Sequence, residues 1–185
     1  MQIFAVYVDN KPGVLNRVAS LIRRRAFNIE SLTVGHTEKP GLSRMTIVVD
    51  TDERGGRLVE ANLYKLIPVR RVDNITKTPQ IARDLALIKV AAHGDARTHV
   101  MQIVDVYRAR IVDVSPDSLV VEATGAEDKI DSLVEVLRPY GVVEMVRTGR
   151  VAMARGGCSG SPEVTPPARI VGMGEGDDDT ASGSV

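Results

Sequence analysis

One order of elements occurs twice along this chain, and that repetition constrains the fold more than any single motif does. "IFAVYV" (Ile3 to Val8) is an apolar, β-branched run, and the turn after it leads to Val14, Leu15, Val18, Leu21 and Ile22. Those spacings put the apolar side chains on one face of a helix. Arg23, Arg24 and Arg25 then fall where cations complement the negative end of the helix dipole. "IESLTVG" and "LSRMTIVVD" alternate apolar with polar residues, and Pro40 and Gly41 in "EKPG" mark the loop between them, so a hairpin is expected. "RLVEANLYKLI" predicts a second helix with Leu58, Leu63, Leu66 and Ile67 on its apolar face, and "VRRVDNI" predicts a closing strand.

The same β-α-β-β-α-β order then returns. "LALIKVAA" reads as a strand, and "DARTHVMQIVDVYRA" as a helix with Val100, Ile103, Val104 and Tyr107 on one side. "RIVDVS" and "SLVVEATG" form a strand pair around Pro116, "AEDKIDSLVEVLRPYG" a helix, and "VVEMVRTGRVAM" a single last strand. The expected fold class is α+β: two tandem ferredoxin-like βαββαβ domains, residues 1–76 and 84–154, joined by a linker at 77–83. Residues 155–185 are rich in Gly, Pro, Ser and Asp and poor in apolar residues. Such a tail cannot bury enough surface to offset its ordering entropy, so disorder is expected there.

Charge and cysteine content remove several classes of function. Lys plus Arg and Asp plus Glu balance at 24 each, which leaves no global field for a nucleic acid or a cationic partner. The single cysteine, Cys158, excludes an internal disulfide framework and a Cys-rich structural zinc site. The start lacks a basic n-region, and no apolar run approaches the ~18 residues of a membrane span. A soluble, cytoplasmic protein is the expectation.

No catalytic constellation emerges. His36, His93 and His99 fall on a strand end, a loop and a helix without metal-ligand spacing. Cys158 sits in the expected tail, where no folded base holds a thiolate. "GMGEG" (Gly172 to Gly176) follows no strand and opens no helix, so it is not a dinucleotide loop. "NIT" at Asn74 matches a glycosylation acceptor, which carries no weight without a secretory signal. An RNA-binding version of the fold would stack bases on aromatic residues of its central strands, but "SRMTIVVD" carries no ring.

What remains is "DNKPGVLNRV". Pro12 suits a helix's first turn, with Asp9 or Asn10 as the cap, and a plain helix cap accounts for it. Gly13 fits less well, since glycine in a helix gives up about 1 kcal/mol relative to alanine. A backbone that must admit a ligand would justify the glycine. The N–H groups of Gly13, Val14 and Leu15 would then face outward at the positive end of the dipole, suited to a carboxylate, while the Asn10 side-chain oxygen could accept from an ammonium. A carboxylate beside an ammonium describes an amino acid. On residue types alone, cap and amino-acid site both stay open.

The blocks "KPGVL", "FNIESLTVG" and "LSRMTIVV" resemble the opening of the small, regulatory subunits of acetolactate synthase (acetohydroxyacid synthase), whose first domain is an ACT domain. "LALIKV" and the half of the chain after it resemble that family's C-terminal domain, to about Gly156. The resemblance implies a non-catalytic subunit of branched-chain amino acid biosynthesis that activates a large catalytic subunit and confers feedback inhibition, chiefly by valine. It also implies a homodimer through the ACT domain, with valine held at the interface by Asn10, Gly13, Val14 and Leu15 of one subunit and by Asn28 and Ile29 of its neighbour. It places no cofactor in this chain: thiamine diphosphate, magnesium and FAD belong to the catalytic partner. A free-standing amino-acid-sensing ACT protein, acting on another enzyme or on transcription, is the alternative; the lack of a helix-turn-helix segment or basic face speaks against the latter.

Overall fold

The computed structural model describes residues 1–156. The tail expected from residue 155, with Cys158 and "GMGEG", therefore lies outside the described residues except for Arg155 and Gly156. The first unit runs β1 (Gln2–Asp9), α1 (Val14–Arg24), β2 (Asn28–His36), β3 (Leu42–Asp50), α2 (Glu53–Leu63) and β4 (Val69–Asn74). The second runs β5 (Gln80–Ala91), α3 (Asp95–Val106), β6 (Arg110–Val114), β7 (Ser118–Gly125), α4 (Glu127–Leu137) with a single 3-10 turn after it, β8 (Val142–Arg147) and β9 (Val151–Ala154). The sheets have strand orders β2-β3-β1-β4 and β6-β7-β5-β8, with antiparallel neighbours. Two tandem ferredoxin-like domains are thus present.

Each sheet buries one face under its own helices. Phe4, Val6 and Val8 of β1 pack with Val18 and Ile22 of α1 and with Val59 and Leu63 of α2. Ile88 and Val90 of β5 pack with Val100 and Val104 of α3 and with Ile130 and Leu133 of α4. Burial of one such side chain is worth about 1.5–3 kcal/mol, so each domain has a core of its own. β1 also buries its other face: Ile3 and Ala5 join Val48, Ile75 and Ala152 in a third cluster, with Tyr7 and Ala82 against it. Burial on both faces is why "IFAVYV" is continuously apolar instead of alternating.

Ala82 and Ala152 come from the second half of the chain, and their presence there corrects two expectations. Residues 80–83, expected in a linker, are the first part of β5, where Gln80 to Arg83 pair with Ala154 to Val151 of β9. The single last strand expected over "VVEMVRTGRVAM" is two strands broken at Thr148–Arg150. β8 pairs with the second half of β5 and β9 with its first third, so one long strand serves both the second sheet and a ribbon laid on the first. α2 is also displaced from expectation. It begins at Glu53, where the Asp52 carboxylate accepts the Gly55 N–H at 2.7 Å, and buries Gly56, Val59, Asn62 and Leu63. Leu58 and Ile67 are exposed. Gly55 and Gly56 conceal the helix start from propensity, yet Gly56 permits close packing: a Cβ there would meet the Gln2 side chain at 2.9 Å.

Candidate functional site

The loop between β1 and α1 is held at its base by an ion pair. Asp9 ends β1, and Arg70 of β4 donates to it through Nε at 2.6 Å and Nη2 at 2.8 Å. That guanidinium holds the Asp9 carboxyl below the usual carboxylate range, and Lys11 at 3.4 Å adds to the effect. The next residue is tied to a neighbouring loop: Asn10 N–H donates to the Gly41 carbonyl at 2.8 Å. Asn10 Nδ2 also lies 3.5 Å from His36 Nδ1.

Gly13 is the N-cap of α1, with φ at +80°. Left-handed backbone is accessible to glycine without a Cβ clash, so turn geometry by itself explains this residue. Pro12, expected inside the first helical turn, stands just before it, and the propensity cost of a glycine within the helix does not arise. The space around Gly13 is nevertheless open: a Cβ there would have no neighbour within 4 Å. Val14 N–H makes a long bond of 3.4 Å to the Lys11 carbonyl. No side chain caps the helix, and among the described residues Gly13 and Leu15 N–H have no acceptor. Val14 is buried beneath the loop, whereas Asn10, Gly13 and Leu15 are exposed. The loop presents free donors at the positive end of a helix, suited to an anionic group.

Asn28 and Ile29 are at the start of β2. Ile29 is half-buried and packs against the first core, and exposed Asn28 donates through Nδ2 to the Glu30 carboxylate. Within one chain the two halves of the sequence-derived site are not brought together. Asp9 stands opposite Leu42 and His36 opposite Ser43 at one end of the sheet, while Asn28 stands opposite Asp50 at the other. At ~3.3 Å per residue along nine-residue β2, the ends are roughly 25 Å apart. β2 is also an edge strand, with one side of its backbone unpaired in the isolated chain.

The residue pattern alone does not single out His36 and Gly41 as neighbours of Asn10. A signal for them exists: "KPG" occurs at Lys11 to Gly13 and again at Lys39 to Gly41, and both glycines adopt left-handed backbone, at φ +80° and +77°. Among the described residues no three His, Cys, Asp or Glu side chains converge as a metal site, and no helix is long and apolar enough to cross a membrane.

Comparison with known proteins places this architecture in a class and then in a family. Residues 4–71 match the model of the AHAS small subunit-like ACT domain, so the first unit is an ACT domain. Residues 83–156 match a second model, described as the small subunit of acetolactate synthase. A probable acetolactate synthase small subunit from Archaeoglobus fulgidus is 52% identical over 152 residues, covering 82% of this chain and 95% of its own. The acetolactate synthase small subunit of Bacillus subtilis is 46% identical over 156 residues, 84% of this chain and 91% of its own. The crystal structure of the acetolactate synthase small subunit from Thermotoga maritima superposes with a TM-score of 0.79 at 39% identity, covering 84% of this chain and 97% of that one. The chain belongs to the acetolactate synthase small-subunit family.

Proposed function

We propose that this chain is the non-catalytic regulatory subunit of acetolactate synthase in branched-chain amino acid biosynthesis. In that reading it activates a large catalytic subunit in the cytoplasm and carries feedback inhibition by valine. Thiamine diphosphate, magnesium and FAD belong to the catalytic partner. Membership of the family across both domains is the observation that carries the reading. The match of residues 83–156 to a small-subunit model also favours it over a free-standing ACT sensor.

The geometry supports a site shared between two copies. A helix N-terminus contributes about 0.3–2 kcal/mol to binding an anion, and burying an isopropyl group about 1.5–3 kcal/mol. The exposed loop of one chain supplies the first term but no enclosure. A neighbouring copy docked along the open β2 edge supplies the second, with its Asn28 and Ile29 closing over Asn10, Gly13, Val14 and Leu15. Exposed Leu15 and Val34 are apolar surface suited to that contact.

Valine titration by calorimetry, alone and with the reconstituted holoenzyme, tests this function. Asn and Asp both tolerate left-handed backbone, so Gly13→Asn and Gly13→Asp differ chiefly in charge. Gly13→Asp is expected to abolish valine binding and inhibition, while Gly13→Asn weakens them less. Intact inhibition in Gly13→Asp would remove this loop from the site, and failure to co-purify with a large subunit would remove the regulatory role.

A further inference from the structure

The segment Thr148–Arg150, between β8 and β9, crosses β2 of the first domain at Ser31 to Thr33, three residues and more beyond Asn28. The Ser31 hydroxyl accepts the Arg150 N–H at 2.7 Å. Gly149 lies so close that an added Cβ would stand 2.7 Å from Ser31 Oγ, 2.7 Å from Thr33 Oγ1 and 3.0 Å from the Leu32 carbonyl oxygen. The Leu32 carbonyl is backbone, and turning Ser31 Oγ away would break its bond to Arg150 N–H, so a Cβ at this position loosens the crossing from the strand. On its other side the segment is fastened to the second domain: Thr148 N–H donates to the Leu85 carbonyl at 2.9 Å, and Leu85 N–H donates to Thr148 Oγ1 at 3.0 Å.

The register of β2 on β3 shifts between Ile29 and Ser31, leaving Glu30 without a partner on β3. Glu30 accepts from Asn28, while Arg150 is paired with Glu127 in the first turn of α4. Glu30, Ser31, Glu127 and Arg150 all line one cavity of ≈ 230 Å³ between the two domains. Asp84 and Arg147, on the same wall, are paired with each other at 2.6 Å, which leaves Arg150 with Glu127 of the second domain and Glu30 of the first as the carboxylates beside it. Coupling between distant sites needs an element with two discrete arrangements, and an ion-pair exchange provides one.

We propose that Arg150 is a switch between the domains. While Asn28 holds Glu30, Arg150 pairs with Glu127. When Asn28 turns to an effector, Glu30 is released and competes for Arg150, which draws the crossing segment away from α4. Gly149 is the positioning residue that keeps the crossing against β2, so that the exchange moves the second domain. This inference rests on the effector role of Asn28 proposed above.

The test uses the full chain with its catalytic subunit and measures valine binding by calorimetry beside holoenzyme activity. Glu30→Gln keeps an acceptor for Asn28 but cannot draw Arg150. It should bind valine while the valine-dependent change in activity shrinks at least about fivefold, the lower end of ordinary allosteric coupling. Glu127→Gln leaves Arg150 to Glu30 and should shift activity toward the valine-bound level without valine. A merely structural contact would move both variants the same way, and that result overturns the switch. Gly149→Ala should also separate binding from inhibition; should it fail to fold, the two glutamine variants still decide. Wild-type protein that binds no valine overturns the effector site and the switch together. Wild-type binding with full inhibition retained in Glu30→Gln overturns the switch alone.

Discussion

Asp9 shows how a single ion pair sets both the shape of the loop and its response to pH. Its carboxyl titrates below the ordinary value of 3.8 because Arg70 bonds to both oxygens. A group with a depressed native pKa contributes stability above the unfolded value and loses it as pH falls through the native one. The pair is therefore intact at neutral pH, and its contribution fades as pH falls below the ordinary carboxylate value and is gone once pH passes through the depressed native one. Asp9→Asn should lower stability at pH 7 by about 0.2–1 kcal/mol, the range for an ion pair with an exposed partner, and should flatten the acid limb of a plot of urea midpoint against pH. An unchanged acid limb would mean that other carboxylates carry it. Asp9, Asn10 and Gly13 were legible in the sequence as a turn with a possible ligand. Two properties were not: the pairing of Asp9 with Arg70, 61 positions away, and the left-handed backbone of Gly13. Both depend on how β4 and the second KPG loop dock beside the first, which residue types do not specify.

Elements with a clear apolar period were legible almost to the residue, and those with other signals were not. β3 and β7 match "LSRMTIVVD" and "SLVVEATG" at both ends, while α1 begins at Val14, after the Pro12 and Gly13 expected in its first turn. α2 was misplaced because its buried face is made of Gly56, Val59, Asn62 and Leu63, which lacks a full apolar stripe. Asn62 survives in that face because it donates to the Leu58 carbonyl at 2.7 Å and accepts from Arg25 and Lys65. The helices that do carry such stripes anchor their domains. Ile22 of α1 and Ile130 of α4 are each fully buried in separate cores. Ile22→Ala and Ile130→Ala should each lower unfolding free energy by about 2–5 kcal/mol, measured by denaturant titration. Because the sites are in different cores, the losses of the two single variants should add in the double variant to within about 0.3–0.5 kcal/mol.

At the scale of the molecule, two tandem domains were legible from the repeated element order, but their mutual attachment was not. Nothing local in "QIARD" or "RVAM" marks a ribbon, since Ala82 and Ala152 are small residues whose role is to let two layers approach. Ala152 is 1% exposed against Ile3, Ala5, Val48 and Ile75. Ala152→Asp places an unpaired carboxylate there and should detach the ribbon, measured as faster hydrogen exchange in β1 while β7 amides stay protected. Equal loss of protection in both domains would show that they unfold as one unit. The ribbon also sets a schedule for the nascent chain. Ribosomes add about 5–20 residues per second, and N-terminal domains fold first. The first domain therefore completes its helix-covered core while Ala152 is still unmade, and Ile3, Ala5 and Val48, with only Ile75 and Tyr7 of that domain beside them, stay incompletely covered until β9 arrives. For those seconds the half-made protein displays an apolar sheet face that the finished one never shows, and that interval is when a chaperone or a premature partner would meet it.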